Sequence, residues 1–440
     1  MRTLPKQFSV GREAEQGPPP ALSARPVSAP AQRPPTQDDA ASWPGRELLD
    51  SPALARILLA AWSGDPGVIC PACPGAGKTR LVSLVAAALA HRAGLRVAVA
   101  AQTREQAAEL ARRITAVSDR AALITSSGKR HVRPTGKAGA KTVSRVRWSR
   151  TSGGEILIGT AARWLYVDPN MAAADVLIVD EAWQCTYADL GALGALARQV
   201  VAVGDPGQID PVVTGSTARW DGQATGPHQP APAALIAAHG EAMSVHRLAD
   251  SWRLGPVTCA LVSKHFYPDM PFTSRRPSEA VISADGTVLP EIVSRPVDTR
   301  HGPTDPALLN ALADRVRELT WHEYRRSGIT SAVTGEDIAV VVPHVAQAGA
   351  MRALLGDVPG VLIGTVNALQ GLERPAVVAL HPMAGYRSAE PFALDAGRTC
   401  VTLTRHRAHL TVITDPGSRS ALAATDDPQA VQALAVLESL

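Results

Sequence analysis

An apolar run, Val68-Ile69-Cys70, leads into Ala72-Cys73-Pro74-Gly75-Ala76-Gly77-Lys78-Thr79, and an Ala-rich helical pattern follows at once. A strand, a glycine-bearing loop and a helix in that order read as a phosphate-binding loop with Ala at the usual first Gly. Gly75 and Gly77 let backbone N–H groups wrap phosphates without side-chain clash. Lys78 supplies a point charge to the β- and γ-phosphates, and Thr79 offers a hydroxyl to Mg²⁺ at the positive end of the helix. The expected nucleotide cradle is Gly75, Ala76, Gly77, Lys78, Thr79 and Arg80, with ATP and Mg²⁺ as cofactors. Such a loop needs a buried parallel strand behind it, which directs the fold toward α/β.

Two further strand ends fit the same reading. Val176-Leu177-Ile178-Val179 ends in Asp180-Glu181. On a parallel sheet these acids stand beside the loop, where Asp180 would hold Mg²⁺ through water and Glu181 would deprotonate the attacking water. Val203 leads into Gly204-Asp205-Pro206-Gly207-Gln208. Gln208 can reach a γ-phosphate from there, although an ordinary Gly-Asp-Pro-Gly turn is the plainer local reading.

The 440 residues leave room for about three domains. Short apolar runs alternate with helical patterns twice. The first set is 68–70, 96–100, 155–158, 176–179 and 200–203, with helices expected over 79–92 and 104–117. The second set is 338–342, 361–364, 376–380 and 410–413. This alternation predicts two tandem α/β units with parallel sheets. The expected boundaries are a Pro-rich tail over 1–47, a first unit over 48–212, a linker over 213–240, a second unit over 241–420 and a C-terminal helix over 421–440. Nine of the first fifty residues are Pro, so the tail reads as a solvated, disordered extension or a protein-partner site.

Hydrophobic residues at 45% support a substantial core, and no apolar run is long enough for a membrane helix. The first twenty residues lack the apolar centre of a secretory signal. Five cysteines, an odd count, fit a reduced cytoplasmic chain; Cys70 and Cys73 have no second pair at zinc spacing. The net charge of +4 is small, but residues 120–154 hold nine Lys and Arg and no acid. That basic insertion is either a solvated loop or a phosphate-backbone contact, and Lys129, Arg130 and Arg133 are its candidate contacts.

Taken in order, these segments resemble the motifs of superfamily 1 helicases. The loop at 72–79, Asp180-Glu181-Ala182-Trp183-Gln184 and Gly204-Asp205-Pro206-Gly207-Gln208-Ile209-Asp210-Pro211-Val212 resemble motifs I, II and III. Ala100-Ala101-Gln102-Thr103 resembles motif Ia, and Gly159-Thr160-Ala161 the threonine turn before motif II. His246-Arg247-Leu248 through Ser251-Trp252-Arg253-Leu254 resembles motif IV. Val342-Pro343-His344-Val345-Ala346-Gln347 resembles a strand-contacting segment of the second domain. Gly364-Thr365 through Gly371-Leu372-Glu373 resembles motif V, and Val401 through Arg407 motif VI. The detailed forms are most similar to the branch of nonsense-mediated-decay and Okazaki-processing helicases.

The resemblance implies two tandem RecA-like P-loop domains with ATP between them. It places Trp252 on adenine, Arg253 and Arg405 on the γ-phosphate, and Gly371 and Glu373 at the γ-phosphate and ribose. It places Thr103, Thr160, His344 and Thr365 on the backbone of single-stranded DNA or RNA. Cys400 stands where motif VI usually has Asn, and no adenine-reading glutamine lies near 51–56. The implied function is an ATP-dependent helicase or translocase on single-stranded nucleic acid. The alternative is an ATP-gated binding or remodelling protein that does not unwind duplex. Trp164 reads as packing, Trp183 as a possible base stacker, and Tyr267 and His406 as structural.

Overall fold

Every strand of the first sheet runs the same way, which gathers the strand ends that carry polar motifs along one edge. The computed structural model describes residues 43–125, 141–150, 153–300 and 302–440, and Trp43–Leu440 form one unit. Among the described residues this sheet has eight strands: β1 (Gly67–Pro71), β2 (Arg96–Ala101), β3 (Ala121–Ile124), β4 (Lys141–Val143), β5 (Glu155–Thr160), β6 (Ala174–Val179), β7 (Ala197–Gly204) and β8 (Met243–Val245). Their spatial order is β4-β3-β5-β2-β6-β7-β1-β8, and every pairing is parallel. The central strands are buried on both faces, so their residues are Val, Ile, Leu and Ala rather than an alternating pattern.

Helices cover both faces. Lys78–Arg92 and Arg104–Val117 pack one side of the sheet through Leu84, Ala88, Leu110 and Ile114. Thr103 caps the second of these through a reciprocal bond with Gln106. On the other face Trp164 is completely buried and donates its indole N–H to the Val99 carbonyl at 2.9 Å.

The second sheet follows two short strands, β9 (Asp250–Ser251) and β10 (Thr273–Ser274), and the edge strand β11 (Glu279–Ile282) of a small antiparallel sheet. It comprises β12 (Ile292–Pro296), β15 (Ile338–Val342), β16 (Leu362–Thr365), β17 (Arg374–Leu380) and β18 (His406–Thr414), in the order β12-β18-β17-β15-β16 and all parallel. Between β12 and β15 the chain makes β13 (Glu323–Arg326) and β14 (Ile329–Ala332), a hairpin that pairs with β11. The chain therefore folds as two tandem RecA-like units.

Several sequence-based boundaries move. The expected linker over 213–240 contains a helix, Ala231–His239, whose approach is tied down by the Ala231 N–H bond to the Cys185 carbonyl. The expected second unit began at 241, yet β8 pairs with β1, and Leu248 bridges Ala72. The first sheet thus recruits a strand from beyond the expected linker. The basic stretch is partly sheet, since β3 and β4 lie in it; Lys129, Arg130 and Arg133 lie outside the described residues. Most of the 1–47 tail does too, but Trp43 to Glu47 belong to the fold: Arg92 lies over the Trp43 ring and Glu47 pairs with Arg80. The C-terminal segment is two helices, Pro416–Ala423 and Pro428–Glu438.

Removing the Trp164 ring deletes the largest fully buried side chain of the first unit and orphans its indole contact. Trp164→Ala is expected to destabilise the fold by about 3–5 kcal/mol, read as the shift in urea unfolding. Wild-type stability would show that the indole is dispensable to that core.

Candidate functional site

The phosphate-binding loop is held from three sides. Ala72 donates to the Gly204 carbonyl at 2.8 Å and Cys73 to that of Leu248 at 3.1 Å. Ser251 Oγ donates to the Pro74 carbonyl at 2.7 Å, and the Trp252 N–H to the Gly75 carbonyl at 3.0 Å. Gly75 has a φ of +79°, and a Cβ there would stand 2.5 Å from Arg253 Cβ. Only glycine satisfies both the conformation and the approach. Gly77 is also left-handed, at φ +85°, and opens the helix that begins with Lys78 and Thr79. Cys73 packs with Leu254, Val262 and Cys400 in the core beneath the second domain. That placement accounts for it without a metal; among the described residues no group of three His, Cys, Asp or Glu is arranged to hold one.

Lys78 is the cation at the centre. Its Nζ donates to Asp205 Oδ2 at 3.2 Å and lies 3.9 Å from Glu181 Oε1. Burial alone would favour the neutral amine, but Glu181 and Asp205 outweigh it and hold the Lys78 pKa above its usual value. Asp180, buried at the end of β6, is pushed up to about 7 by desolvation and by its neighbour Glu181, with Lys78 opposing. A carboxylate held in that condition gains from any cation brought beside it. Glu181 adopts φ +49°, a left-handed backbone that non-glycine residues rarely take. Such conformations cost about 1–3 kcal/mol and collect at functional sites.

From the second domain two arginines approach the loop. Arg253 makes an ion pair with Glu373 Oε2 and donates to the Thr404 carbonyl at 3.3 Å. Glu373 also takes Arg407 at 2.7 Å; burial opposes its ionisation, but Arg253 and Arg407 hold its pKa below the usual range. Arg405 is different. It is 2% exposed, and its guanidinium donates only to the Val401 carbonyl, the Leu372 carbonyl and Thr404 Oγ1. Among the described residues it has no carboxylate partner. Desolvation, and then the charge of Arg253, lower its pKa to about 10.

Contacts and charge interactions thus link Gly75, Lys78, Asp180, Glu181, Gln208, Arg253, Glu373 and Arg405 into one cluster, with Ala76, Gly77 and Thr79 on the same loop and helix start. Trp252 sits next to the loop with 58% of its surface open. Gly371, at φ +81°, forms the exposed turn after β16. Arg80 is not drawn in; its guanidinium is exposed and paired with Glu47. Trp183 is buried behind Gly204, where a Cβ would meet its ring at 2.7 Å, so it is core and not a base stacker. His406 is buried on Thr258.

Thr103, Thr160, His344 and Thr365 each stand just past or at the carboxyl end of a parallel strand, on β2, β5, β15 and β16. Thr103, Thr160 and His344 cap the helices that follow. His344 stacks on Phe392 at 4.9 Å and hydrogen-bonds Tyr386 at 2.9 Å, in a cleft shared with Thr365 and Arg398.

Sequence reasoning passed over Asp205, the direct partner of Lys78. An acid directly after the glycine that ends an apolar strand, in Gly204-Asp205-Pro206-Gly207, was the available signal. It read Tyr267 only as structural and passed over Gln370; both touch the Gly204-to-Gln208 turn from the second domain, and there no local pattern could have shown it.

Two AAA domain families match the chain in tandem, over residues 57–231 and 234–417. A probable helicase of Dictyostelium discoideum is 26% identical over 266 residues. The chain carries two tandem AAA domains, and these matches accord with the superfamily 1 resemblance of its motifs. That matched region is 58% of this chain and 26% of the Dictyostelium protein, so the chain spans about a quarter of its relative's length. Among solved structures, the PRRSV helicase has a TM-score of 0.44 at 15% identity, covering 81% of this chain and 54% of that one. Arterivirus nonstructural protein 10 (helicase) has a TM-score of 0.46 at 15% identity, covering 86% and 64%. Its complex with DNA has a TM-score of 0.44 at 15% identity, covering 86% and 65%.

A side chain at residue 75 must displace Arg253 or leave the left-handed region. Gly75→Ala is therefore expected to weaken nucleotide binding by at least about tenfold, since about 1.4 kcal/mol of strain suffices. Equilibrium titration of a fluorescent ATP analogue measures it, and unchanged affinity would contradict the close-approach argument.

Proposed function

We propose that this chain is an ATP-dependent motor on single-stranded nucleic acid. One observation carries the reading: Arg405 of the second domain is a buried guanidinium without an acidic partner among the described residues, within electrostatic reach of Asp205 and Glu181 of the first. A buried, unpaired cation is costly and becomes favourable when an anion enters. A phosphoryl group held on the loop is such an anion, and it would join the two domains.

The geometry supports the following roles. Gly75, Ala76 and Gly77 offer backbone N–H groups to the phosphates, and Lys78 meets the β- and γ-oxygens. Asp180 and the Thr79 hydroxyl fit Mg²⁺, an ion commonly bound through one or two protein oxygens plus phosphate and water. Mg²⁺ would neutralise charge on the β- and γ-oxygens. Glu181 accepts the proton of the attacking water, and Gln208 contacts the γ-phosphate. Arg253 and Arg405 stabilise the charge that develops on the transferred group. Trp252 stacks on the base, with Gly371 and Glu373 near the γ-phosphate and ribose.

Thr103, Thr160, His344 and Thr365 line the carboxyl edges of the two sheets. A strand laid across both would shift register as the domains close and open. On this reading the basic residues Lys129, Arg130 and Arg133 are further phosphate ligands. Among the described residues no helix is long and apolar enough to cross a membrane. ATPase activity measured with single-stranded DNA and RNA side by side tests the function: stimulation by either supports it, and stimulation by neither sinks it.

Two substitutions separate the halves of the site. Lys78→Ala should abolish turnover, because the phosphates lose their main cation. Arg405→Ala should retain nucleotide binding while turnover falls by roughly 10³ or more. Binding titration beside steady-state ATPase assays checks the pair. Wild-type turnover in the Arg405 variant would show that the second domain supplies no finger.

A further inference from the structure

The turn from Gly204 to Gln208 is gripped by the second domain at three places. Tyr267, just past the helix Pro256–Phe266, donates its hydroxyl to Asp205 Oδ1. Gln370 Nε2 donates to Gln208 Oε1 at 3.2 Å. Gly397 lies so close that a Cβ on it would stand 2.7 Å from the Gln208 carbonyl oxygen. The fit is mutual, because a Cβ on Gly207 would fall 2.4 Å from the Tyr267 ring.

The other oxygen of Asp205 accepts Lys78 at 3.2 Å and Gln208 Nε2 at 2.7 Å. One carboxylate therefore joins the phosphate-binding lysine to a phenol of the opposite domain. The same hydroxyl lies 3.7 Å from Cys400 Sγ. Cys400 is on the helix Ala396–Leu403, which ends two residues before Arg405. Burial, and then Asp205, raise the Tyr267 pKa far above the usual phenol value, so the group remains a donor.

We propose that Tyr267 is a positioning residue for ATP turnover: its hydroxyl, through Asp205, sets the distance between Arg405 and the phosphate held by Lys78. This inference rests on the ATPase reading above. The ring packs edge-on against Phe272 in the core, so Tyr267→Phe keeps the packing and deletes only the strut. A misplacement of about 1 Å at a reacting centre can cost up to about 10²-fold in rate.

The test uses the full chain and reads kcat and KM for ATP, nucleotide affinity, and the thermal midpoint. Tyr267→Phe is expected to lower kcat about tenfold while KM and affinity stay within about twofold. Asp205→Asn should lower kcat as well, and the double variant should fall no further than Asp205→Asn alone. Wild-type kcat in Tyr267→Phe overturns the proposal, as does a double variant whose losses multiply. A loss confined to Tyr267→Leu, with Tyr267→Phe intact, likewise overturns it and makes the residue packing only. Because the readout is turnover itself, a wild type that hydrolyses ATP without stimulation by any strand refutes the nucleic-acid reading and leaves this test decisive. A wild type without turnover refutes both.

Discussion

Lys78 is buried beside three carboxylates, and the cleft is organised by how these charges meet. Asp205 and Glu181 keep the lysine protonated where burial would neutralise it. Asp180, one residue before Glu181 and deeper, receives less of that compensation and is driven toward its neutral form. Bringing four ionisable groups into one low-dielectric space is costly unless each is held in place. The parallel sheet does the holding: β1, β6 and β7 deliver Lys78, the Asp180–Glu181 pair and Asp205 from adjacent strands, all at the same edge. An antiparallel sheet would have sent alternate strand ends to the opposite side.

The second domain adds positive charge. Arg253 is neutralised by Glu373, whereas Arg405 is left with carbonyls and a hydroxyl. These partners orient the guanidinium without cancelling its charge. Burial, and then repulsion from Arg253, lower the Arg405 pKa. The two halves of the cleft are therefore complementary in sign, carboxylate-rich with one lysine on one side and guanidinium-rich on the other. A polyanion with a bound cation suits both.

Much of this arrangement was legible because it is local. The strand that ends in Asp180-Glu181, the left-handed glycines at 75 and 77 and the helix that starts at Lys78 are consequences of short segments, and the strands fall where the apolar runs lie. The domain boundary was not legible. β8 is three residues long, too short to show a pattern, and it joins β1 from more than 170 positions away. The basic stretch misled in the same way: its charge marks an insertion, yet Ala121–Ile124 inside it is an ordinary buried strand. Tyr267 was read as core, which its ring is. Its hydroxyl meets an acid 62 positions away across a domain interface, and no spacing rule reaches that far.

The remaining question is how Arg253 can stay aimed at the loop while bound to Glu373. Glu373 is shared, one oxygen with Arg253 and the other with Arg407. Arg407 in turn binds Glu279 through two nitrogens, at 2.9 Å and 2.5 Å. Glu279 starts β11 and also accepts Tyr324 of the hairpin at 2.5 Å. The chain of charges Arg253–Glu373–Arg407–Glu279 alternates in sign and ends on a small sheet anchored outside the cleft. Each acid is shared between donors, so no single bond fixes Arg253; the sequence of pairs does. That explains why β11, β13 and β14 matter to the cleft although none of them lines it: they hold the far end of the series. Arg405, outside the series, has only its carbonyl and hydroxyl partners and is the cation left uncompensated for an incoming anion.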